Sequence, residues 1–330
     1  MAGRRRKKSG GRSYAWRYRG RIVACVFVEV IIICALVIMI GWNKGVKEWF
    51  EQFEQPVLKE VDISGINSPN AILMQARGGK ILGEINGEAQ IYPASMTKIM
   101  TVILGIENFD DLDEKITLTN EMFTGLYEQD ATQAGFQPGE EVRVIDLLYG
   151  AMLPSGAECC IALADTISGS EADFAELMNK KARKLGMENT HFCDSTGLHN
   201  PDHYSTVKDI AVLMKYCIKN DTFREIIETA RHSTGITNVH PDGITYYSTM
   251  FKNLSDPTVT GGKILGGKTG YTSEAGHCLV SFAEIEGREY IFVSAGASGA
   301  DGNTIPHIQD AVTVYNRVGA AVEAKMNDNN

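Results

Sequence analysis

Several patterns are missing from this sequence. No cysteines stand in a C-x-x-C or Cys/His ligand spacing, and no H-E-x-x-H occurs, so a zinc finger, a helix-borne zinc protease site or a thioredoxin-like redox pair has nothing to build on. The seven cysteines, at 25, 34, 159, 160, 193, 217 and 278, are odd in number and sparse, which does not make a disulfide framework. Most read as small buried apolar side chains. The seven histidines are scattered, and neither a metal nor a cofactor is expected. Basic charge is also scarce outside one place. Of 32 Lys and Arg, nine fall in residues 1–21, which hold no acid, leaving 23 against 41 Asp and Glu for the rest. That acidic excess excludes a polyanion-binding main domain, and no nucleic-acid partner is expected. The basic arm alone suits anionic lipid headgroups.

What is present begins with IVACVFVEVIIICALVIMIGW, residues 22–42. At about 1.5 Å per helical residue, 21 residues match a bilayer core of about 30 Å. The run reads as a transmembrane helix. Its positive flank places the N-terminus in the cytoplasm and the remainder outside, in a single-pass cell-membrane protein. A cleavable signal peptide is the competing reading, but the run is longer than such a core and lacks a small-x-small site. Glu29 inside the run reads as a tolerated carboxyl. Beyond it, Val46, Trp49, Phe50 and Phe53 make an amphipathic helical face that Pro56 ends. The expected organisation is a basic arm (1–21), an anchor (22–42), a juxtamembrane stalk (43–60), a catalytic domain (61–322) and a polar tail (323–330).

The 330-residue chain is long enough for a large core. Two apolar runs around Gly78-Gly79, within 71–85, predict a β-hairpin. Helical patterns follow over 95–107, 144–152, 157–167, 171–186 and 207–219, and strands over 263–270, 277–285 and 289–297, with a turn at Glu286-Gly287-Arg288. A last helix is predicted over roughly 304–323. No internal repeat or low-complexity block occurs. Strands at both ends with helices between them predict an α/β (α+β) fold: an antiparallel sheet flanked by helices with a helical subdomain.

Two motifs carry chemistry. In YPASMTKIMT, Ser95 and Lys98 stand three residues apart, so a helix brings the amine onto the face of the hydroxyl, where a neutral amine can take its proton. The flanks are apolar, which favours a partly buried lysine over a solvated one. In GGKTGYT, Lys268, Thr269 and Gly270 lie on a predicted strand. Glycines there let a ligand backbone come close, and the ammonium and hydroxyl can hold a carboxylate. A third stretch, LPSGAECC (153–160), has two adjacent cysteines. Cys160 falls on a helical face with Leu163, Ala164 and Ile167, whereas Cys159 is expected to flank it. Ser155 and Glu158 fit an S-x-x-E capping box.

Ser-x-x-Lys, Ser-Gly-x at 155 and Lys-Thr-Gly at 268, in that order, match the serine penicillin-recognising enzymes. With PGEEVRVIDLLYGAMLPSGAE, LGMENTHFCDSTGL, HYSTVKDIA and GGKTGYTSEAGHCLVSFA, the chain over about 62–320 closely resembles the D-alanyl-D-alanine carboxypeptidases, the low-molecular-mass penicillin-binding proteins of peptidase family S11. The resemblance implies a β-lactamase/transpeptidase-like fold. It implies Ser95 as nucleophile, Lys98 as general base, Ser155 as proton relay, and Lys268, Thr269, Gly270 and Tyr271 on the substrate. Lys268 is expected to disfavour protonation of Lys98 by its charge, and the backbone N–H groups of Ser95 and Tyr271 to form the oxyanion hole. The implied substrates are peptidoglycan stem peptides ending in D-Ala-D-Ala, with β-lactams as covalent inhibitors. The chain departs from the family twice. Position 157 is Ala where the family has Asn, and no Arg stands between Arg288 and Arg317 to help hold the substrate carboxylate, a task left to Lys268 and Thr269 or shared by His307. Family members often continue into a β-rich domain and a membrane-binding helix; here the N-terminal anchor is expected to supply the attachment. A β-lactamase and a weakened wall-binding homologue are the alternatives. The first lacks a recognisable deacylating-glutamate loop, and the second is motivated by Ala157.

Overall fold

A computed structural model describes residues 58–254, 256–299 and 305–328. The expected arm and anchor, and the stalk as far as residue 57, lie outside them. Among the described residues no helix is long and apolar enough to cross a membrane.

The expected first hairpin forms as β1 (Asn70–Gln75) and β2 (Ile81–Ile85). Gly78 and Gly79 turn the chain at φ of 84° and 70°, values that cost glycine nothing. Two three-residue ribbons follow, β3 (Lys115–Thr117) with β4 (Glu141–Arg143), and β5 (Arg231–Ser233) with β6 (Thr245–Tyr247). The other strands are β7 (Thr258–Val259), β8 (Gly262–Thr272), β9 (Gly276–Ile285) and β10 (Arg288–Ala297). Ile285 pairs with Arg288, so the turn between β9 and β10 is the two residues Glu286 and Gly287. Both have positive φ, the geometry that matches strand twist in a two-residue hairpin. The main sheet is antiparallel in the order β2-β1-β10-β9-β8-β7.

Strand alternation divides the core in two. On one face Ile72, Met74, Val280, Phe282, Ile291 and Val293 join the helices of the insert: α1 (Lys98–Asn108), α2 (Val144–Met152), α3 (Ala157–Ser168), α4 (Glu171–Leu185), α5 (Val207–Cys217) and α6 (Asp221–Glu228). A short α7 (Thr249–Asn253) leads back to the sheet. On the other face Ala71, Leu73, Leu279, Tyr290 and Phe292 pack with Val314, Tyr315 and Val318 of α8 (Pro306–Asp328). This last helix runs beyond the expected limit of about 323. Its Asp310 is buried and accepts four hydrogen bonds of 2.6–2.9 Å from the backbone and side chains of Asn67 and Ser68.

Two local expectations fail. Glu158 does not close a capping box with Ser155: Gly156 is the N-cap of α3 and no side chain caps it. Ser155 sits at φ 73°, and its hydroxyl accepts from Lys268 Nζ instead. Cys159 does not flank the buried face but is as fully buried as Cys160. A Cβ on Gly150 would lie 2.6 Å from its Sγ, so the glycine of α2 is what makes room for it.

Asp310→Ala removes the acceptor of four bonds, two of them to backbone N–H groups beside β1. A loss of about 2–4 kcal/mol is expected in the denaturant midpoint analysis.

Candidate active site

The chain enters α1 through a 3-10 turn over Ala94–Thr97. Ala94 holds φ 46°, a left-handed conformation costly for alanine. Gly197 braces it, for a Cβ there would lie 1.9 Å from the Ala94 carbonyl oxygen. The turn leaves Ser95 half-buried and starts the helix at Lys98, whose side chain is 3% exposed. Lys98 Nζ lies 3.0 Å from Ser95 Oγ and donates to the carbonyl of Thr196 at 2.7 Å.

Strand β8 brings the second lysine. Lys268 is fully buried, and its Nζ donates to Ser155 Oγ at 2.9 Å and to its neighbour's carbonyl, Thr269 O, at 2.9 Å. Gly270 lies against the nucleophile turn: a Cβ would come within 3.0 Å of Ser95 N and 3.1 Å of the Ala94 Cβ. Thr269 Oγ1 bonds Thr249 Oγ1 at 2.7 Å, and Tyr271 is 61% exposed. The strand pairs outward with β7 only at Lys263 and Gly262. Among the described residues no strand covers its outer edge from Lys268 to Thr272. Ser95, Lys98, Ser155, Lys268, Gly270 and Thr269 thus meet at the junction of sheet and insert, with Tyr271 next along the strand.

Burial governs the electrostatics. It pushes the Lys98 ammonium below its ordinary value, against the pull of Cys160, Asp194 and Glu158. Burial, and then the charge of Lys98, pushes Lys268 well down. The expectation that the charge of Lys268 keeps Lys98 neutral is not met: desolvation alone lowers Lys98, and the repulsion between the lysines falls on Lys268. A neutral Lys98 amine has two N–H groups and one lone pair. Thr196 O takes one N–H, and the lone pair is free to accept from Ser95.

His307 is 4% exposed, stacked on His277 with ring centroids 5.0 Å apart. Burial and His277 push it down to about 4 despite Asp310, so it carries no charge for a carboxylate at neutral pH. Glu158 is buried, with Oε1 accepting from Ala134 N and Gly135 N at 2.6 and 2.9 Å, and burial raises its pKa. Cys159, Cys160, Cys217 and Cys278 are free and buried, and desolvation lifts every one of these thiols. Among the described residues no group of three or more His, Cys, Asp or Glu converges as metal ligands would.

Sequence reasoning missed the loop 193–198. It reaches Lys98 through the Thr196 backbone carbonyl, for which no side-chain pattern exists. Asp194 and Gly197 in D-S-T-G are ordinary turn residues and were the only signal.

An antiparallel sheet between a terminal helix and a helical insert, with a buried Ser–Lys pair at the junction, is the architecture of the DD-peptidases. A single-residue variant of the Streptomyces K15 DD-transpeptidase has this fold with a TM-score of 0.70 and 29% identity, over 77% of this chain and 98% of that one. The sequence pattern of peptidase family S11, D-alanyl-D-alanine carboxypeptidase, matches residues 57–299, and the chain belongs to this family. It is 35% identical over 233 residues to the D-alanyl-D-alanine carboxypeptidase DacF of Bacillus subtilis, covering 69% of this chain and 57% of that protein. It is 33% identical over 262 residues to DacC of Escherichia coli, covering 72% and 58%. The chain thus spans less than two thirds of these relatives' length.

Because only neutral Lys98 can accept the Ser95 proton, acylation of Ser95 by an activated ester should slow as pH falls. The profile should show a one-proton limb centred below 10.5, the ordinary lysine value. A rate with no acid limb at any pH at which the protein stays folded would remove Lys98 as the base.

Proposed function

We propose that this chain is a membrane-anchored serine D-Ala-D-Ala carboxypeptidase that removes the terminal D-alanine from peptidoglycan stem pentapeptides through an acyl-enzyme, with β-lactams as covalent inhibitors. The observation that carries it is the buried lysine amine 3.0 Å from a half-buried serine hydroxyl, beside a second serine–lysine pair at 2.9 Å. Lys98 takes the Ser95 proton as Oγ attacks the penultimate D-Ala carbonyl. The developing oxyanion lies toward the N–H groups of Ser95 and Tyr271, and preorganised donors of this kind contribute on the order of 10² to 10³ in rate. Ser155, held by Lys268, passes a proton to the leaving amine, and water then releases the shortened peptide.

The open edge of β8 accepts the peptide as an added strand. Gly270 matters there because any side chain would push the strand off Ser95. Thr269 is the side chain offered to the terminal carboxylate, since Lys268 is fully buried and turned to Ser155 Oγ and Thr269 O. Glu158 is fully buried under the start of α3, away from where a water would meet a penicilloyl ester, which favours a carboxypeptidase over a β-lactamase. The apolar run 22–42 and the basic arm before it support a single span with the N-terminus cytoplasmic and the catalytic domain, about 61–322, outside the membrane.

Incubation with a D-Ala-D-Ala pentapeptide should release free D-Ala, and S95A should abolish it. Labelled penicillin should leave a persistent adduct on Ser95; rapid turnover without one would assign a β-lactamase instead. A wild-type protein that releases no D-Ala and takes no label would make the chain a non-catalytic homologue.

A further inference from the structure

Beneath the site, outside the residues already given roles, lies an Asp–His–Thr chain whose histidine and threonine are buried and whose aspartate is partly so. Asp194 Oδ1 accepts from Thr196 N at 2.7 Å, Thr196 Oγ1 at 2.8 Å and Gly197 N at 2.6 Å. Its Oδ2 stands 3.1 Å from His203 Nδ1. The other ring nitrogen, Nε2, is 2.8 Å from Thr97 Oγ1. His203 is 2% exposed, and the edge of its ring meets Phe192 at a centroid distance of 5.5 Å, so it cannot swing away.

Both ends of this chain terminate on Lys98. Thr97 is the residue before it and the N-cap of its helix. Thr196 supplies the carbonyl that accepts from its amine. We propose that Asp194 and His203 are positioning residues for the general base, and that this pair takes over the part of holding Lys98 that Ala157 cannot perform.

Three observations carry the assignment. First, one carboxylate closes the turn that aims the Thr196 carbonyl, because both N–H groups that define that turn donate to it. Second, the loop has no room to drift. Gly197 is pressed on the Ala94 carbonyl, Ser195 O accepts from Thr101 Oγ1 of α1 at 2.5 Å, and Ser195 N and Oγ donate to Glu171 at 3.0 and 2.5 Å. Third, Ala157 is buried at the first position of α3 with only a methyl group to offer, so no side-chain amide there shares the amine. With a proton on Nδ1 the His203 ring donates to Asp194 and Nε2 accepts from Thr97 Oγ1; with the proton on Nε2 the ring donates to Thr97 and Nδ1 accepts from Cys193 N, 3.2 Å away. Either way a single linkage ties the backbone before the lysine to the acceptor in front of it. An error of about 1 Å in such a group can cost on the order of 10²-fold in rate.

The proposal rests on the reading of Ser95 and Lys98 as nucleophile and base, and the test separates the two. In the full-length protein, the second-order rate of Ser95 labelling by penicillin and the kcat and KM of D-Ala release are measured against pH. The variants are Asp194→Asn, His203→Gln and Asp194→Asn combined with Ala157→Asn. The groups facing the Lys98 amine are Glu158, Cys159 and Cys160 from α3, Asp194 from the loop and Lys268 from β8. Removing the Asp194 charge removes one that favours protonated Lys98. Asp194→Asn should therefore move the acid limb to lower pH while labelling and kcat fall about 10- to 100-fold and KM changes little. Ala157→Asn in that background should recover at least a tenth of the wild-type rate by returning an amide to the amine. His203→Gln leaves the Asp194 turn intact and should give a smaller loss, of about 3- to 10-fold, and it decides the matter alone if Asp194→Asn does not fold. Wild-type rates and limb in Asp194→Asn, or in His203→Gln, overturn the proposal. So does a rate loss with an unmoved limb and no recovery when Ala157→Asn is added. A wild-type protein that takes no label at Ser95 instead overturns the functional reading.

Discussion

The structure depends on keeping two lysine amines out of water in one cleft. A charged ammonium in a low-dielectric interior costs several kcal/mol unless it is paired. Among the described residues neither Lys98 nor Lys268 has a carboxylate within salt-bridge distance; each instead meets one serine hydroxyl and one backbone carbonyl. That partner set suits a neutral amine, which needs two acceptors at most and has a lone pair to give. The nearby acids have their bonds elsewhere: Glu158 Oε1 with two N–H groups while its Oε2 is left without a partner, Glu171 with Ser195, and Asp194 with Thr196, Gly197 and His203. Burial raises Glu158 and Glu171, whereas for Asp194 burial is outweighed by His203 and the loop donors, which hold it at about 2. The one carboxylate that stays firmly charged is thus the one that shapes the acceptor loop.

The second constraint is backbone strain placed beside each serine hydroxyl of the candidate site. Ala94 and Ser155 both adopt positive φ without being glycine, and such residues cost of order 1–3 kcal/mol. One precedes the nucleophile; the other is the second serine itself. Each is held by a glycine that permits close approach: Gly197 against Ala94, and Gly156, whose Cβ would meet Ala134 at 2.7 Å, behind Ser155. The strained backbone therefore stands beside two serine hydroxyls that lysine amines also meet, Ser95 by Lys98 and Ser155 by Lys268. The same turn at Ser155 removes it from the helix cap, which is why an S-x-x-E match there carried a true helix start and a false bonding pattern.

Much of this was legible from one chain because its elements are long and periodic. All five insert helices predicted from spacing form within a few residues of their limits, and the three long strands follow from apolar runs bounded by glycine. The ribbons β3–β4 and β5–β6 are three residues each, too short to show a period of two. Ser95, Lys98 and Lys268 were visible because side chains do their work. Thr196 was not, because its contribution is a carbonyl oxygen that any residue could supply. Asp194 and His203 were hidden for a related reason: nine residues apart, they meet only because the bridge between His191 and Tyr204 folds the loop back on itself.

The two tasks that the proposed function would give an asparagine at position 157, holding Lys98 and meeting the substrate amide, fall apart in this molecule. The first has a substitute, since Thr196 O sits 2.7 Å from Lys98 Nζ on a loop clamped at both ends. The second has none among the described residues, because Ala157 offers no polar atom and its own N–H is spent on Thr132 O. Loss of an interaction made only to substrate weakens binding before it weakens the nucleophile. On the function proposed above, the alanine leaves Ser95 with its lysine partner intact and moves the orientation of the substrate to the open edge of β8, where backbone pairing and the Thr269 hydroxyl would align it. Such a site would then discriminate among peptides by how well they lie as a strand, more than by the amide of one side chain.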